Sequence, residues 1–180
     1  MLSIKKIKEL IAMGGTEGIA KRYAVMNAFD GSLTALGIII GSFLADVTLP
    51  STVILAGLGA SIAMGVSGGF GAYLTESALK KQELAEKESA MLEELNDTVH
   101  NQAAQISSIF VAVVDGLSPF IASSISFLPF FIIPWLGMDI EIAFLFSVIL
   151  TAATLFVLGA YLGVISQENK WVYGLKGISP

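Results

Sequence analysis

Cysteine is absent from this 180-residue chain, and histidine occurs once, at position 100. Disulfides, iron–sulfur ligation and thiolate metal sites are thereby excluded, so any metal must be held by oxygen, by Met sulfur or by His100. Charge is scarce too: 14% of residues are Asp, Glu, Lys or Arg, against a usual value of about 25%. The net charge of −5 says little about nucleic acid, but the ten Lys and Arg lie near the ends of apolar segments and build no basic face, which argues against it as a partner. No low-polarity run at the amino terminus has the form of a cleaved leader: Lys5, Lys6 and Lys8 are followed by Gly14 and Gly15, and the next apolar run is too long, so no processing is expected.

What is present in quantity is apolar. Hydrophobic residues make up 54% of the chain and the mean hydropathy is +0.77. That defines an all-α polytopic membrane helix bundle, with room for four spans and no second soluble domain. The spans read as Tyr23–Ala45, Ser51–Leu74, Ile106–Ile133 and Ile140–Ile165. Residues 1–20 form an interfacial helix with Leu2, Ile4, Ile7, Leu10 and Ile11 toward one side. Residues 21–75 hold spans one and two, 76–105 an acidic helix that extends span two into the cytoplasm, 106–166 spans three and four, and 167–180 a tail with Trp171 and Tyr173 placed as interfacial anchors. Every Lys and Arg lies in the amino terminus, the 76–105 segment or the tail, while the short turns hold only Asp46 and Asp139. The positive-inside rule therefore puts both termini in the cytoplasm.

Two carboxylates interrupt the apolar spans. Asp30 is the only charge between Tyr23 and Ala45, and Asp115 the only charge between Ile106 and Ile133. A charge at such a position costs at least about 2.5 kcal/mol on insertion, so an intramembrane Asp is a functional-site hypothesis by default. Asn27, Asp30, Thr34, Gly37 and Gly41 share one helical face. Phe29-Asp30-Gly31 and Val114-Asp115-Gly116 occupy similar places in two spans that run the same way, which suggests a pair at comparable depth. Pro119 brings no N–H to the carbonyl of Asp115, so a broken helix there offers a carboxylate and a backbone oxygen together.

Small residues dominate span two. Gly57, Ser61, Gly65 and Gly69 form one row, and Ala56, Ala60, Met64, Gly68 and Ala72 the next, which predicts close packing on both sides and a central place in the bundle. Beyond it, Glu83, Glu86, Glu94 and Asp97 fall on one stripe of the acidic helix; such a stripe either holds a divalent cation or is a solvated face.

These residues resemble a family. Ala28-Phe29-Asp30-Gly31-Ser32-Leu33-Thr34 is similar to the Asp-Gly-Leu motif that opens the first span of the vacuolar iron transporter family, and Ser67-Gly68-Gly69-Phe70-Gly71-Ala72-Tyr73-Leu74 resembles its Ser-Met-Gly-x-Gly-x-Tyr-Leu signature. Phe127-Leu128-Pro129-Phe130 is similar to its Leu-Ile-Pro-Tyr segment, and 147–163 to its fourth span. The resemblance implies a homodimer that exports Fe²⁺ or Mn²⁺ from the cytoplasm in exchange for protons, with Asp30 as metal and proton ligand and no prosthetic group. The chain departs from the family at several points. The family's second-span Met aligns with Gly68, which leaves Met64 as the alternative thioether; Asp115 aligns with an apolar position; Glu17 is the nearest match to acidic residues at the start of span one. Glu83-x-x-Glu86 is similar to the family's paired-Glu spacing, but 76–105 accommodates one helix rather than a three-helix domain. A fifth family span has only its run-up here, at 171–176.

The expected function is divalent-cation transport through Asp30 and Asp115, with Asn27 and Thr34 adding oxygen ligands and Met64 favouring Fe²⁺ over Mg²⁺ or Ca²⁺. Two other readings remain at this level. Asp30 and Asp115 can be the dyad of an intramembrane aspartyl hydrolase, although no further catalytic signature accompanies them. The chain can equally be a non-transporting scaffold or assembly protein, whose small-residue rows serve packing alone.

Overall fold

The structure, a computed structural model, describes residues 4–13, 15–91 and 99–178. Its order is α1 (Ile4–Met13), α2 (Glu17–Leu44), α3 (Pro50–Met91), α4 (Val99–Ile132), a 3₁₀ turn (Ile133–Leu136), α5 (Ile140–Ile165) and α6 (Lys170–Ile178). No strand occurs among the described residues. Helices α2, α3, α4 and α5 are each long and apolar enough to cross a membrane. The four expected spans are thus present. α1 and α2 are joined through Gly15, whose φ of +63° suits a residue without Cβ. Gly137, at +66°, does the same between the 3₁₀ turn and α5.

Contacts divide the chain into two compact units, residues 1–24 with 66–117 and residues 25–65 with 118–180. In the first, Ala20, Ala72 and Val111 form a small apolar layer flanked by Ile19, Tyr23, Phe110 and Val114. The second has the larger core. Ala35, Ile39, Val53, Phe127, Phe130, Ile133, Ala143 and Phe144 pack together, and the rings of Phe130 and Phe144 meet edge to face with centroids 5.0 Å apart. Gly57 fits against the Phe127 ring where no Cβ would fit. Ser61 hydroxyl donates to the Gly57 carbonyl at 2.6 Å and lies 2.7 Å from the Ser123 hydroxyl, which itself reaches the Pro119 carbonyl at 2.7 Å. That chain of hydroxyls ties α3 to α4 in the manner of polar contacts between membrane helices.

Three expectations change. α3 is the least buried of the four spans within this chain, with 17% of its apolar window buried against 39% for α4. Both of its small-residue rows make contacts, Gly57 and Ser61 from one and Gly68 and Ala72 from the other, while Leu55, Ile62, Val66 and Phe70, with Ala56, face the exterior. α4 is not broken. It runs on through Pro119 and Pro129, since losing a single N–H per proline removes one bond from a ladder that the neighbouring turns keep. Of the 76–105 stretch, residues 76–91 continue α3 and residues 99–105 open α4, while residues 92–98 lie outside the described residues. Finally, much of the tail is helical. α6 packs on α5 through glycines, Gly163 against Lys170 and Gly177 against Gly159, and the absence of side chains there lets the two backbones meet.

Candidate functional site

In the first unit the geometry is fixed by a close approach of α3 and α4. A Cβ on Gly69 would stand 3.1 Å from the Ala112 carbonyl oxygen and 3.6 Å from Gly116 Cα, and one on Gly68 would stand 3.2 Å from Oδ2 of Asp115 and 3.7 Å from its carbonyl oxygen. The Asp115 carboxylate, 4% exposed, therefore rests on the bare backbone at Gly68. It is also engaged by neighbouring groups. Val111, one turn earlier on α4, meets Ala72, one turn later on α3, so the two helices run antiparallel with matched turns. An open groove of about 590 Å³ flanks this contact, lined by Ile11, Glu17, Ala20, Lys21, Ala24, Phe110 and Val114.

Asp30 belongs to the second unit and is exposed. Thr34, Gly37 and Gly41 are exposed with it, as their common face predicts, and a Cβ at Gly37 or Gly41 would meet nothing within 4 Å. A carboxylate on the outer face of a spanning helix must be covered by something other than lipid. Asn27 is half-buried and has a polar partner; Met64 is half-buried on α3. The two Asp-Gly pairs share a packing reason for their glycines. Gly31 lies against the Pro119 backbone, and Gly116 against Gly69. The close approach accounts for Gly in each pair and leaves Asp in each without a packing role.

The acidic arm is differently disposed. Lys80 donates to Glu83 at 2.9 Å and Gln82 to Glu86 at 3.1 Å, both on the exterior, while Glu94 and Asp97 lie outside the described residues. Among the described residues no three His, Asp or Glu side chains converge as a metal site. The carboxylates within the spans stay singly placed within their units.

One buried carboxylate escapes sequence reasoning. Glu76 is 3% exposed, although it follows span two at a position that reads as the start of a solvated helix. Its signal was available, since Gly68, Ala72 and Glu76 continue one row at four-residue spacing. Two fully buried hydroxyls of the same unit, Thr16 Oγ1 and Ser107 Oγ, lack hydrogen-bond partners among the described residues. In the second unit the equivalent orphans are Ser32, Ser126 and Ser147, with no carboxylate among them.

Four membrane-length helices, carboxylates within two of them and close helix packing through glycine define an integral membrane protein of the solute-transporting kind. The family model described as the VIT family matches residues 21–112 and 84–178, and the chain belongs to that family. Membership places it among membrane transporters of metal ions rather than among enzymes. It is 35% identical over 180 residues to the uncharacterized protein MJ0645 of Methanocaldococcus jannaschii, covering 97% of this chain and 89% of that one. No solved structure matches.

Proposed function

We propose that this chain carries Fe²⁺ or Mn²⁺ across a membrane in exchange for protons, with Asp30 and Asp115 as the carboxylates that receive the ion. The observation that carries the reading is the buried Asp115 carboxylate within a spanning helix, seated where α3 has no side chain at Gly68. Carboxylates bind a cation in their deprotonated form, so loading the ion releases protons, and antiport follows from the same groups. The reading also takes the chain as a homodimer. Its support is the outer face of α2, where exposed Asp30 shares a stripe with Gly37 and Gly41 at the spacing that lets two membrane helices approach. A second copy against that stripe removes Asp30 from lipid and sets its carboxylate opposite its twin. The distribution of Lys and Arg supports a cytoplasmic side for both termini and for the arms of α3 and α4 beyond the spans.

The test is flux of Mn²⁺ and Fe²⁺ into proteoliposomes across an imposed pH gradient. Wild-type protein is expected to move both ions, and Asp30→Asn and Asp115→Asn to lose at least about ten-fold, which corresponds to about 1.4 kcal/mol. Wild-type rates in both variants would show that the ion passes elsewhere.

A further inference from the structure

The apolar layer of Ala20, Ala72 and Val111 separates two polar levels of the first unit. Four residues from each member in one direction lie Ala24, Gly68 and Asp115; four residues in the other lie Thr16, Glu76 and Ser107. The direction is the same on all three helices. α2 and α4 run one way and α3 the other, so Thr16, Glu76 and Ser107 all stand one turn from the layer on the side of α1, with the Ala20 amide bonded to the Thr16 carbonyl at 2.8 Å to continue the α2 turn. Eight residues of α4 separate Asp115 from Ser107, a rise of about 12 Å.

This second level is expensive as it stands. Each buried hydroxyl without a partner costs about 1–3 kcal/mol, and Thr16 and Ser107 are both fully buried and both without one. One turn from the same layer, Glu76 brings a carboxylate at 3% exposure. Lys80, one turn further along α3, bonds Glu83 instead. A water molecule would satisfy the hydroxyls and leave the buried charge unbalanced. A cation satisfies all three groups at once, because hydroxyl and carboxylate oxygens are the ligands that hard divalent ions take.

We propose that Glu76, Thr16 and Ser107 form a second cation site, one that holds a hard or borderline divalent ion through oxygen and stands on the α1 side of Asp115, beyond the Ala20–Ala72–Val111 layer. The site is distinct from the carboxylates invoked for transport and rests on the transport reading only for its role, which is to hold an ion before it crosses the apolar layer. With oxygen donors alone it favours Mn²⁺ over softer ions.

Mn²⁺ itself is the probe, titrated into the purified full chain in detergent while the free ion is followed by electron paramagnetic resonance. Wild-type protein is expected to bind one more Mn²⁺ per chain than Glu76→Gln, and Asp30→Asn and Asp115→Asn are expected to keep that extra ion. Thr16→Ala with Ser107→Ala should weaken it at least five-fold and shrink the rise in melting temperature that Mn²⁺ gives the wild type. This double variant also decides the matter if Glu76→Gln does not fold, since deleting unpartnered hydroxyls does not endanger the fold. An unchanged count in Glu76→Gln, or unchanged affinity in the folded double variant, overturns the site. Loss of flux in Asp115→Asn with the Glu76 ion retained supports both readings; wild-type flux in Asp30→Asn and Asp115→Asn with that ion retained ends the assignment of the transported ion to those two carboxylates and leaves this site standing.

Discussion

Oδ2 of Asp115 stands 3.2 Å from the point a Cβ at Gly68 would occupy. The carboxylate at 115 and any side chain at 68 thus compete for one space between α3 and α4. Gly68→Ala forces the carboxylate to give by a few tenths of an ångström, and Mn²⁺ flux is expected to fall about three- to ten-fold, about 0.6–1.4 kcal/mol in the barrier, while the protein stays folded. Gly68→Met in an Asp115→Ala background should recover part of the flux lost by Asp115→Ala alone, since removing the carboxylate vacates the space for a thioether that is itself a metal ligand. Full flux in Gly68→Met alone would show that the two positions do not share the ion.

Gly31 and Gly37 sit less than two turns apart on α2 and should respond oppositely to the same substitution. A Cβ at Gly31 runs into the Pro119 backbone, which cannot swing aside as a side chain can, whereas one at Gly37 meets nothing. Gly31→Ala is expected to destabilise by about 1–3 kcal/mol, as overpacking does, seen as an earlier thermal transition in detergent. Gly37→Ala should leave that transition in place and weaken association, measured by energy transfer between labelled copies in liposomes. Equal association in Gly37→Ala would remove α2 from the dimer contact.

The hydroxyls of Ser61 and Ser123, 2.7 Å apart, couple α3 to α4. Hydrogen bonds between membrane helices average about 0.6 kcal/mol and reach about 1.7, so a double-mutant cycle of Ser61→Ala and Ser123→Ala should return a coupling within that range. Additive losses would mean that each serine serves only its own helix, through the Gly57 and Pro119 carbonyls.

The spans, their number and the shared stripe of α2 were legible because long apolar runs and a 3.6-residue period are properties of neighbours in sequence; that the stripe faces outward was not. The place of α3 was not. Its two glycine-rich rows look alike in the sequence, and only the partner helix decides what each receives, setting Phe127 on Gly57 of one and Asp115 on Gly68 of the other. Pro119 and Pro129 misled in the other direction, since α4 runs on through both. Glu76 was missed because charge composition labelled it solvated, whereas burial is set by elements packed against α3 from elsewhere in the sequence.

The acidic arm of α3 supplies the last prediction. Glu83 is bonded to Lys80 at 2.9 Å, its side chain is 52% exposed, and Glu86 accepts from Gln82. Helical spacing sets these carboxylates toward neighbours on their own helix, where exposed pairs contribute about 0–1 kcal/mol. An ion there would have to displace Lys80 and Gln82 and gather further ligands, and the described residues provide no third carboxylate or histidine converging with them. Glu83→Gln with Glu86→Gln is therefore expected to leave Mn²⁺ flux within about two-fold of wild type, under 0.5 kcal/mol of barrier, and to shift the melting transition only slightly, less so at high salt where such pairs are screened. A ten-fold drop in flux with an unchanged melt would assign the arm a role in handling the ion, and would turn the Lys80–Glu83 bond into the resting state of a ligand.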